Sequence, residues 1–216
     1  MESFKEIKTY YSREDTAGLT EYELDHKPRL DHLIVDLELN TIEDSKICDF
    51  GAGGGYILKN MHNSNTLYAV DGFKIEDELI REQYNLDAPY ADDFISKHGQ
   101  VDVAFSFEMF EHLTNPYNFV IELKKVLKEG GILYFSVPHE LTQHNTFYPG
   151  LIYPVQNLIT FFNQMAFSVQ QKKLHRARFT QNVLVLKNHS WDKVRMKWPK
   201  DGEKFAGQPP HVQVNL

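Results

Sequence analysis

The pattern of hydrophobic and polar positions changes near residue 46. Before it, Leu30, Leu33, Ile34 and Leu37 recur at helical spacing and predict one buried helical stripe. After it, short apolar runs predict strands at Lys46–Phe50, Thr66–Asp71, Val101–Phe107, Ile132–Val137, Ser168–Leu174 and Val183–Lys187. Stretches with a longer period predict helices at Tyr56–Met61, Ile75–Tyr84, Pro116–Leu127 and Tyr153–Met165.

This order of elements predicts a single α/β domain built on a doubly wound sheet. Strands that alternate with helices need crossover connections, so most strands should be parallel and both faces of the sheet covered. The last two predicted strands are close enough in sequence to pair antiparallel at one edge. We expect residues 1–45 to form a helical cap, residues 46–188 the α/β core and residues 189–216 an irregular tail.

Composition and charge narrow the class of partner. The formal net charge of −7 at pH 7 argues against nucleic acid, because unaided binding normally needs a basic surface. No apolar run approaches the roughly 18 residues that cross a bilayer, and the N-terminus lacks a secretory signal pattern, so we expect a cytoplasmic protein that binds no membrane. The single cysteine, Cys48, excludes a disulfide framework. A small-molecule partner is favoured, and the aromatic content is compatible with a homodimer.

A glycine-rich segment after the first predicted strand is the main candidate for a ligand site. Asp49, Gly51, Ala52, Gly53 and Gly55 lie between a strand and a helix, where glycine permits a tight turn and a close approach of the backbone to a ligand. A Walker-type phosphate loop is excluded, since no Gly-Lys-Ser/Thr follows. Dinucleotide-binding proteins share such a turn, and a glycine turn with no ligand is the other alternative.

Acidic residues after the glycine turn extend this candidate site. Asp71, followed by Gly72, ends the second predicted strand, where a carboxylate can accept hydrogen bonds from a ribose diol. An aspartate that caps a helix or closes a turn is the alternative. Further on, Asp92, Asp93 and Phe94 are expected to form a short acidic loop before the next strand.

Together these residues resemble the class I S-adenosylmethionine-dependent methyltransferases. Asp49–Gly55 is similar to the first motif of that family, and Asp71 to its ribose-binding acid. The segment at Asp92 resembles the loop whose acid contacts the adenine amine. Residues 127–133 resemble the turn before the fifth strand of the family, with Glu129 where proline is usual.

The resemblance covers about residues 46–138 and has implications beyond those of the hydrophobic pattern. It implies a Rossmann-like, seven-stranded sheet and S-adenosylmethionine as the cofactor. It also implies that Phe107 and Glu108, in the segment that resembles the one after the fourth strand of the family, contact this cofactor.

Three residues of the same segment are candidate metal ligands. Glu108, Glu111 and His112 have i, i+3 and i+4 spacing, which would place them on one side of a helix. The pattern resembles that of two subgroups of the family that bind a divalent ion, such as magnesium or zinc. One methylates hydroxyls of ubiquinone-type phenolic rings, and the other methylates the 2′-hydroxyl at RNA ends. In other relatives a similar Glu-His pair braces a loop without a metal.

Histidines after the fourth and fifth predicted strands are candidate catalytic bases, because a hydroxyl acceptor must lose its proton. These candidates are His112, His139 and His144, while Phe147-Tyr148 and Tyr153 are candidates to line an acceptor pocket. The leading interpretation is an enzyme that O-methylates a phenolic or sugar-like small molecule. A sugar N-methyltransferase, an RNA-end 2′-O-methyltransferase and a non-catalytic donor-binding subunit are the alternatives.

Overall fold

The computed structural model describes residues 21–72, 78–139, 147–176, 179–191, 194–195 and 213–214. The strands of the main sheet are β1 (Lys46–Phe50), β2 (Thr66–Asp71), β3 (Ile80–Gln83), β4 (Val101–Phe107), β5 (Leu127–Pro138), β6 (Phe167–Arg176) and β7 (Phe179–Asn188). The helices are α1 (Glu21–Asp36), α2 (Tyr56–Lys59), α3 (Ala91–His98), α4 (Pro116–Val126), α5 (Pro149–Ile152) and α6 (Val155–Gln164). Short 3₁₀ turns lie at Leu39–Thr41 and Phe110–His112.

The seven strands form one sheet in the order β3-β2-β1-β4-β5-β7-β6. The pairs among β1 to β5 are parallel, whereas β7 pairs antiparallel with both β5 and β6. This arrangement confirms the predicted doubly wound, mostly parallel sheet with an antiparallel edge. The chain leaves β1 toward β2 and β3 and then returns to β4 on the other side. The carboxyl end of β1 is therefore the switch point, where ligands bind in such sheets.

Two hydrophobic clusters cover the two faces of the sheet, because successive strand residues point in opposite directions. Ile47 of β1 packs with α1 and α2 on one face, and the predicted stripe of α1 is buried there. Cys48, its neighbour, packs with α3, α4 and α6 on the other face. Cys48 is fully buried. Among the described residues no helix is both long enough and apolar enough to cross a membrane.

Two predicted elements are wrong. In the described part of the helix predicted over 75–84, Ile80–Gln83 form the edge strand β3, whose pairing with β2 overrides the helical pattern. The predicted acidic loop at Asp92 is instead the first turn of α3. In the tail, the sequence predicted no regular structure, but Val194–Arg195 and Gln213–Val214 form a two-stranded antiparallel pair.

Candidate functional site

The glycine turn lies directly beyond the carboxyl end of β1. Gly51, Gly53 and Gly55 have φ values of 81°, 51° and 84°, a region that glycine enters at little cost. The amide N–H of Gly51 donates to Val70 O at 2.8 Å, which fastens the start of the turn to the end of β2. The amide of Gly55 donates to Ala52 O at 2.8 Å, and α2 begins at the next residue. The predicted strand, turn and helix are thus confirmed.

Two charged side chains hold the turn from the neighbouring strands. Asp71, the last residue of β2, accepts from the amide of Gly53 through Oδ2 at 2.9 Å and from the amide of Gly72 through Oδ1 at 2.6 Å. Arg81 of β3 donates from Nη1 to Gly53 O at 2.8 Å and from Nη2 to Gly54 O at 3.0 Å. The peptide groups on both sides of Gly53 are therefore fixed by opposite charges.

Asp49 lies beneath the turn and is only 4% exposed. Burial and the nearby Asp71 carboxylate raise the pKa of Asp49 to about 7, against the opposing effect of the Arg81 guanidinium. This carboxyl group, at the switch point of the sheet, therefore keeps its proton to a higher pH than an ordinary aspartate.

The three residues predicted to contact the cofactor from the acidic segment have different surroundings. Phe94 is fully buried and makes an edge contact with Tyr68, so its side chain packs in the core. Asp93 accepts from Tyr84 Oη at 2.6 Å and pairs with Lys97 at 2.9 Å. Asp92 is exposed on the first turn of α3.

Glu108 follows β4 and links two elements around the site. Its φ of 50° is in the left-handed region, and its side chain is only 4% exposed. Oε1 accepts from Ser136 Oγ of β5 at 2.9 Å, and Oε2 pairs with Arg29 of α1 at 3.3 Å. The N-terminal helix is thereby tied to the carboxyl ends of β4 and β5. Phe107, just before it, is partly buried and stacks on Phe105.

The predicted metal ligands do not converge. Glu111 has a fully buried side chain, and neither of its carboxylate oxygens has a hydrogen-bond partner among the described residues. Burial, followed by the Glu108 charge, raises its pKa well above the usual range. His112 is 46% exposed, with Nε2 at 3.8 Å from Glu111 Oε1. Residues 110–112 form a 3₁₀ turn and not the expected α-helix, so Glu111 is buried while His112 is exposed. In the described part of the chain no group of three or more His, Cys, Asp or Glu side chains is arranged to hold a metal.

The candidate bases lie at or beyond the end of β5 and after β4. His139 directly follows β5, and its Nδ1 is buried with no hydrogen-bond partner in the described ranges. His144 lies outside the described residues. His112 extends toward solvent, as its exposure shows.

An open depression of about 410 Å³ is formed by segments that follow β4 and β5 in the chain, and three of its lining residues are Tyr117, Phe147 and Tyr148. The amide of Phe147 donates to Glu111 O at 3.1 Å, and Tyr148 Oη donates to Thr114 O at 2.8 Å. These bonds join the segment after β5 to the segment after β4. Tyr153 does not line the depression and instead donates to Pro138 O at 2.8 Å.

Sequence reasoning missed Arg29, Arg81 and Ser136, which hold Glu108 and the glycine turn. Arg81 lies in the segment that was expected to be helical, and strand periodicity there is hidden by the polar run Arg81-Glu82-Gln83. Arg29 directly precedes the predicted stripe of α1 and is buried, and an arginine is rarely buried without a charged partner.

Comparison with known proteins agrees with this geometry. A family model described as a methyltransferase domain matches residues 22–183. A ubiquinone biosynthesis O-methyltransferase of Glaesserella parasuis is 27% identical over 125 residues, which cover 49% of this chain and 53% of that protein. The chain thus spans about half the length of this curated relative.

Solved structures with the same fold are more distant in sequence. The N-methyltransferase NodS from Bradyrhizobium japonicum, in complex with S-adenosyl-L-homocysteine, has a TM-score of 0.60 at 14% identity and covers 86% of this chain and 97% of its own. A SAM-dependent methyltransferase from Aquifex aeolicus has a TM-score of 0.55 at 19% identity, covering 77% and 96%. A Haloferax volcanii chain in complex with the Trm112 methyltransferase activator has a TM-score of 0.61 at 17% identity, covering 79% and 95%.

Proposed function

Because this chain belongs to the methyltransferase-domain family, within the class I S-adenosylmethionine-dependent enzymes, we propose that it O-methylates a hydroxyl of a small phenolic or sugar-like molecule. The observation that carries the proposal is the glycine turn at the switch point of the sheet, with Asp71 bonded to its backbone. The 27% identical ubiquinone biosynthesis O-methyltransferase supports a hydroxyl acceptor.

The residues around the turn fit S-adenosylmethionine. Asp71 ends β2 beside the turn, and its carboxylate is the proposed acceptor of hydrogen bonds from a ribose diol. Asp92, exposed at the start of α3, is the proposed partner of the adenine amine, and a cationic ligand bound near Asp49 would favour the ionised form of that carboxyl group. When bound, the cofactor supplies the methyl group.

The acceptor is proposed to lie beyond β4 and β5, in the aromatic depression. Rings such as Tyr117 and Phe147 offer flat apolar surface to a phenolic ring or to the face of a sugar. Methyl transfer depends mainly on holding the two reactants in line, and the bonds between the segments after β4 and β5 stiffen this wall. Nδ1 of His139 is the proposed acceptor of the hydroxyl proton.

Calorimetric titration tests the cofactor assignment before any acceptor is known. We expect S-adenosylmethionine to bind and NADH not to bind. Replacing Asp71 by Ala should raise the Kd about 10- to 100-fold, because hydrogen bonds to a charged group are lost. Asp102→Ala, at the opposite end of β4, is the matched control and should leave the Kd within twofold. Preference for NADH, or equal effects of the two variants, would contradict the assignment.

Turnover with tritium-labelled methyl donor then separates the acceptor classes. We expect label on a catechol-type phenol or on a sugar hydroxyl, and none on an amino sugar's nitrogen or on RNA ends. Running each reaction with and without EDTA measures whether a divalent ion recruits Glu108, Glu111 and His112. Label on nitrogen alone would exclude the O-methyltransferase proposal while leaving the cofactor assignment intact.

A further inference from the structure

Arg81 connects the edge strand β3 to a turn that begins two strands away. In the sheet register Arg81 lies opposite Ala69 of β2, and β2 separates it from β1. Its side chain nevertheless reaches past β2 to the turn that follows β1. There both terminal nitrogens donate, one to Gly53 O and one to Gly54 O. An arginine on a four-residue edge strand has solvent available to it, so this placement indicates a specific role.

The two bonds act on the most deformable backbone of the site. Each glycine loses more conformational freedom on ordering than any other residue, and Gly53 and Gly55 both have positive φ. A peptide group is planar, so fixing the oxygen of Gly54 also fixes the direction of the N–H of Gly55. Because Asp71 holds the amide of Gly53, the arginine and the aspartate together hold both peptide groups of that residue.

Only arginine can hold the turn in this way. Its guanidinium is a planar fork with donors in fixed directions, and it stays charged at every pH of interest. A lysine ammonium is a compact point charge with freely rotating donors. The fork therefore matches two consecutive carbonyls, and its charge opposes the rise in the pKa of Asp49 that burial and Asp71 cause.

We propose that Arg81 is a positioning residue for the methyl donor, which holds the Gly53–Gly55 backbone in its binding conformation before the donor arrives. The proposal rests on the assignment of the donor to this turn. Without Arg81, the donor must itself order three glycine-rich residues, and that cost subtracts from its affinity.

The test compares Arg81→Ala and Arg81→Lys with Lys128→Ala by titration with S-adenosylmethionine. Lys128 pairs with Asp102, far from the turn, so its variant removes one positive charge without touching the glycines. We expect the Kd to rise about tenfold or more in Arg81→Ala, by a smaller factor in Arg81→Lys, and by less than twofold in Lys128→Ala. Amide hydrogen exchange at residues 53–55 of the donor-free protein should be faster in both Arg81 variants.

Three results would overturn the proposal. The first is an unchanged Kd in Arg81→Ala together with a lowered Tm, which would give Arg81 a structural role only. The second is an equal rise in Kd for Lys128→Ala, which would point to overall charge. The third result is an unchanged Kd in Arg81→Lys, and this variant alone decides the test if Arg81→Ala does not fold. Failure of the unaltered protein to bind the donor would instead refute the proposed function, so the two failures are distinguishable.

Discussion

At the scale of single residues, Asp49 has surroundings that disfavour its negative charge. Its carboxyl group is buried beside a second carboxylate, and either condition alone disfavours ionisation. The Arg81 guanidinium offsets part of this effect. Such a group destabilises the folded protein when it ionises, and strongly shifted pKa values cluster at functional sites.

The pH dependence of the free energy of unfolding should show the destabilisation that ionised Asp49 causes. The pKa of Asp49 rises from about 3.9 in the unfolded chain to about 7 in the folded one, so the folded state holds more protons between these values. The free energy of unfolding should therefore fall as pH rises from about 4 to about 7, by on the order of 1 kcal/mol per unit. Asp49→Asn should lack this contribution, as urea unfolding of both proteins across that range would show. Parallel pH curves for the two proteins would contradict the assignment.

Which site residues could be predicted from the sequence depends on whether their role is local. Asp49, Gly53 and Asp71 were predicted because each stands next to a strand end, and local pattern locates strand ends. Arg81 and Ser136 act across the sheet on partners at least 27 residues away. No local periodicity encodes such a partner, so these residues emerge only once the strand order is known.

At the scale of elements, α3 depends on a carboxylate from another helix. Glu122 of α4 has a side chain only 4% exposed, and its Oε2 accepts from the amides of Tyr90 and Ala91 at 2.9 and 2.8 Å. These are N–H groups at the start of α3, which no side chain of its own caps. Burial would raise the pKa of Glu122, but Lys125 and the two amides together hold it below the usual range.

Glu122→Gln should therefore destabilise the protein by about 1 to 3 kcal/mol at pH 7, because the charge on a doubly hydrogen-bonded acceptor is lost. A lowered folded pKa contributes stability above the ordinary pKa of glutamate, and this contribution disappears as pH falls through the folded value. The variant should thus approach the original protein in acid. Denaturant unfolding at pH 7 and pH 4 measures both effects. Glu43→Gln, at an exposed site, is the control and should change stability little.

The same scale explains the mistaken helix at residues 75–84. β3 is an edge strand of four residues, too short to display alternation, and its pattern of half-buried and exposed positions comes from pairing with one neighbour only. Strand formation there depends on pairing with β2, and the hydrogen bonds of that pairing cannot be predicted from the local sequence. The buried strands β1 and β4, by contrast, are mostly apolar and were predicted with their observed bounds.

At the scale of the whole molecule, Lys124 fastens the last strand of the sheet to the helical layer. Its ammonium, on a residue only 7% exposed, donates to Asn188 Oδ1 and to the carbonyls of Ala166 and His189. It also lies 4.9 Å from the centre of the Trp191 ring. Residues from α4, the end of β7 and the segment that follows are therefore held at a single point.

Burial lowers the pKa of Lys124 to about 8, whereas an unfolded lysine titrates near 10.4. The unfolded chain then holds more protons between these values, so the free energy of unfolding should rise as pH increases from about 8 toward 10. Lys124→Met should lack this rise. Urea unfolding at pH 7.5, 8.5 and 9.5 provides the comparison. Equal slopes in the two proteins would show that the ammonium keeps an ordinary pKa despite its surroundings.

The strand order also bears on how proteins of this type acquire new acceptors. Every strand on one side of β1 comes from residues 66–83, and every strand on the other side comes from residues 101–188. The turn directly follows β1, and Asp71 and Arg81 belong to the first stretch, while Tyr117, Phe147 and Tyr148 of the aromatic depression belong to the second. Recombination at the short link between α3 and β4 would exchange the part of the chain that carries the depression and leave the part that carries the glycine turn unchanged. A single segment of the gene therefore encodes the residues that are proposed to contact the acceptor.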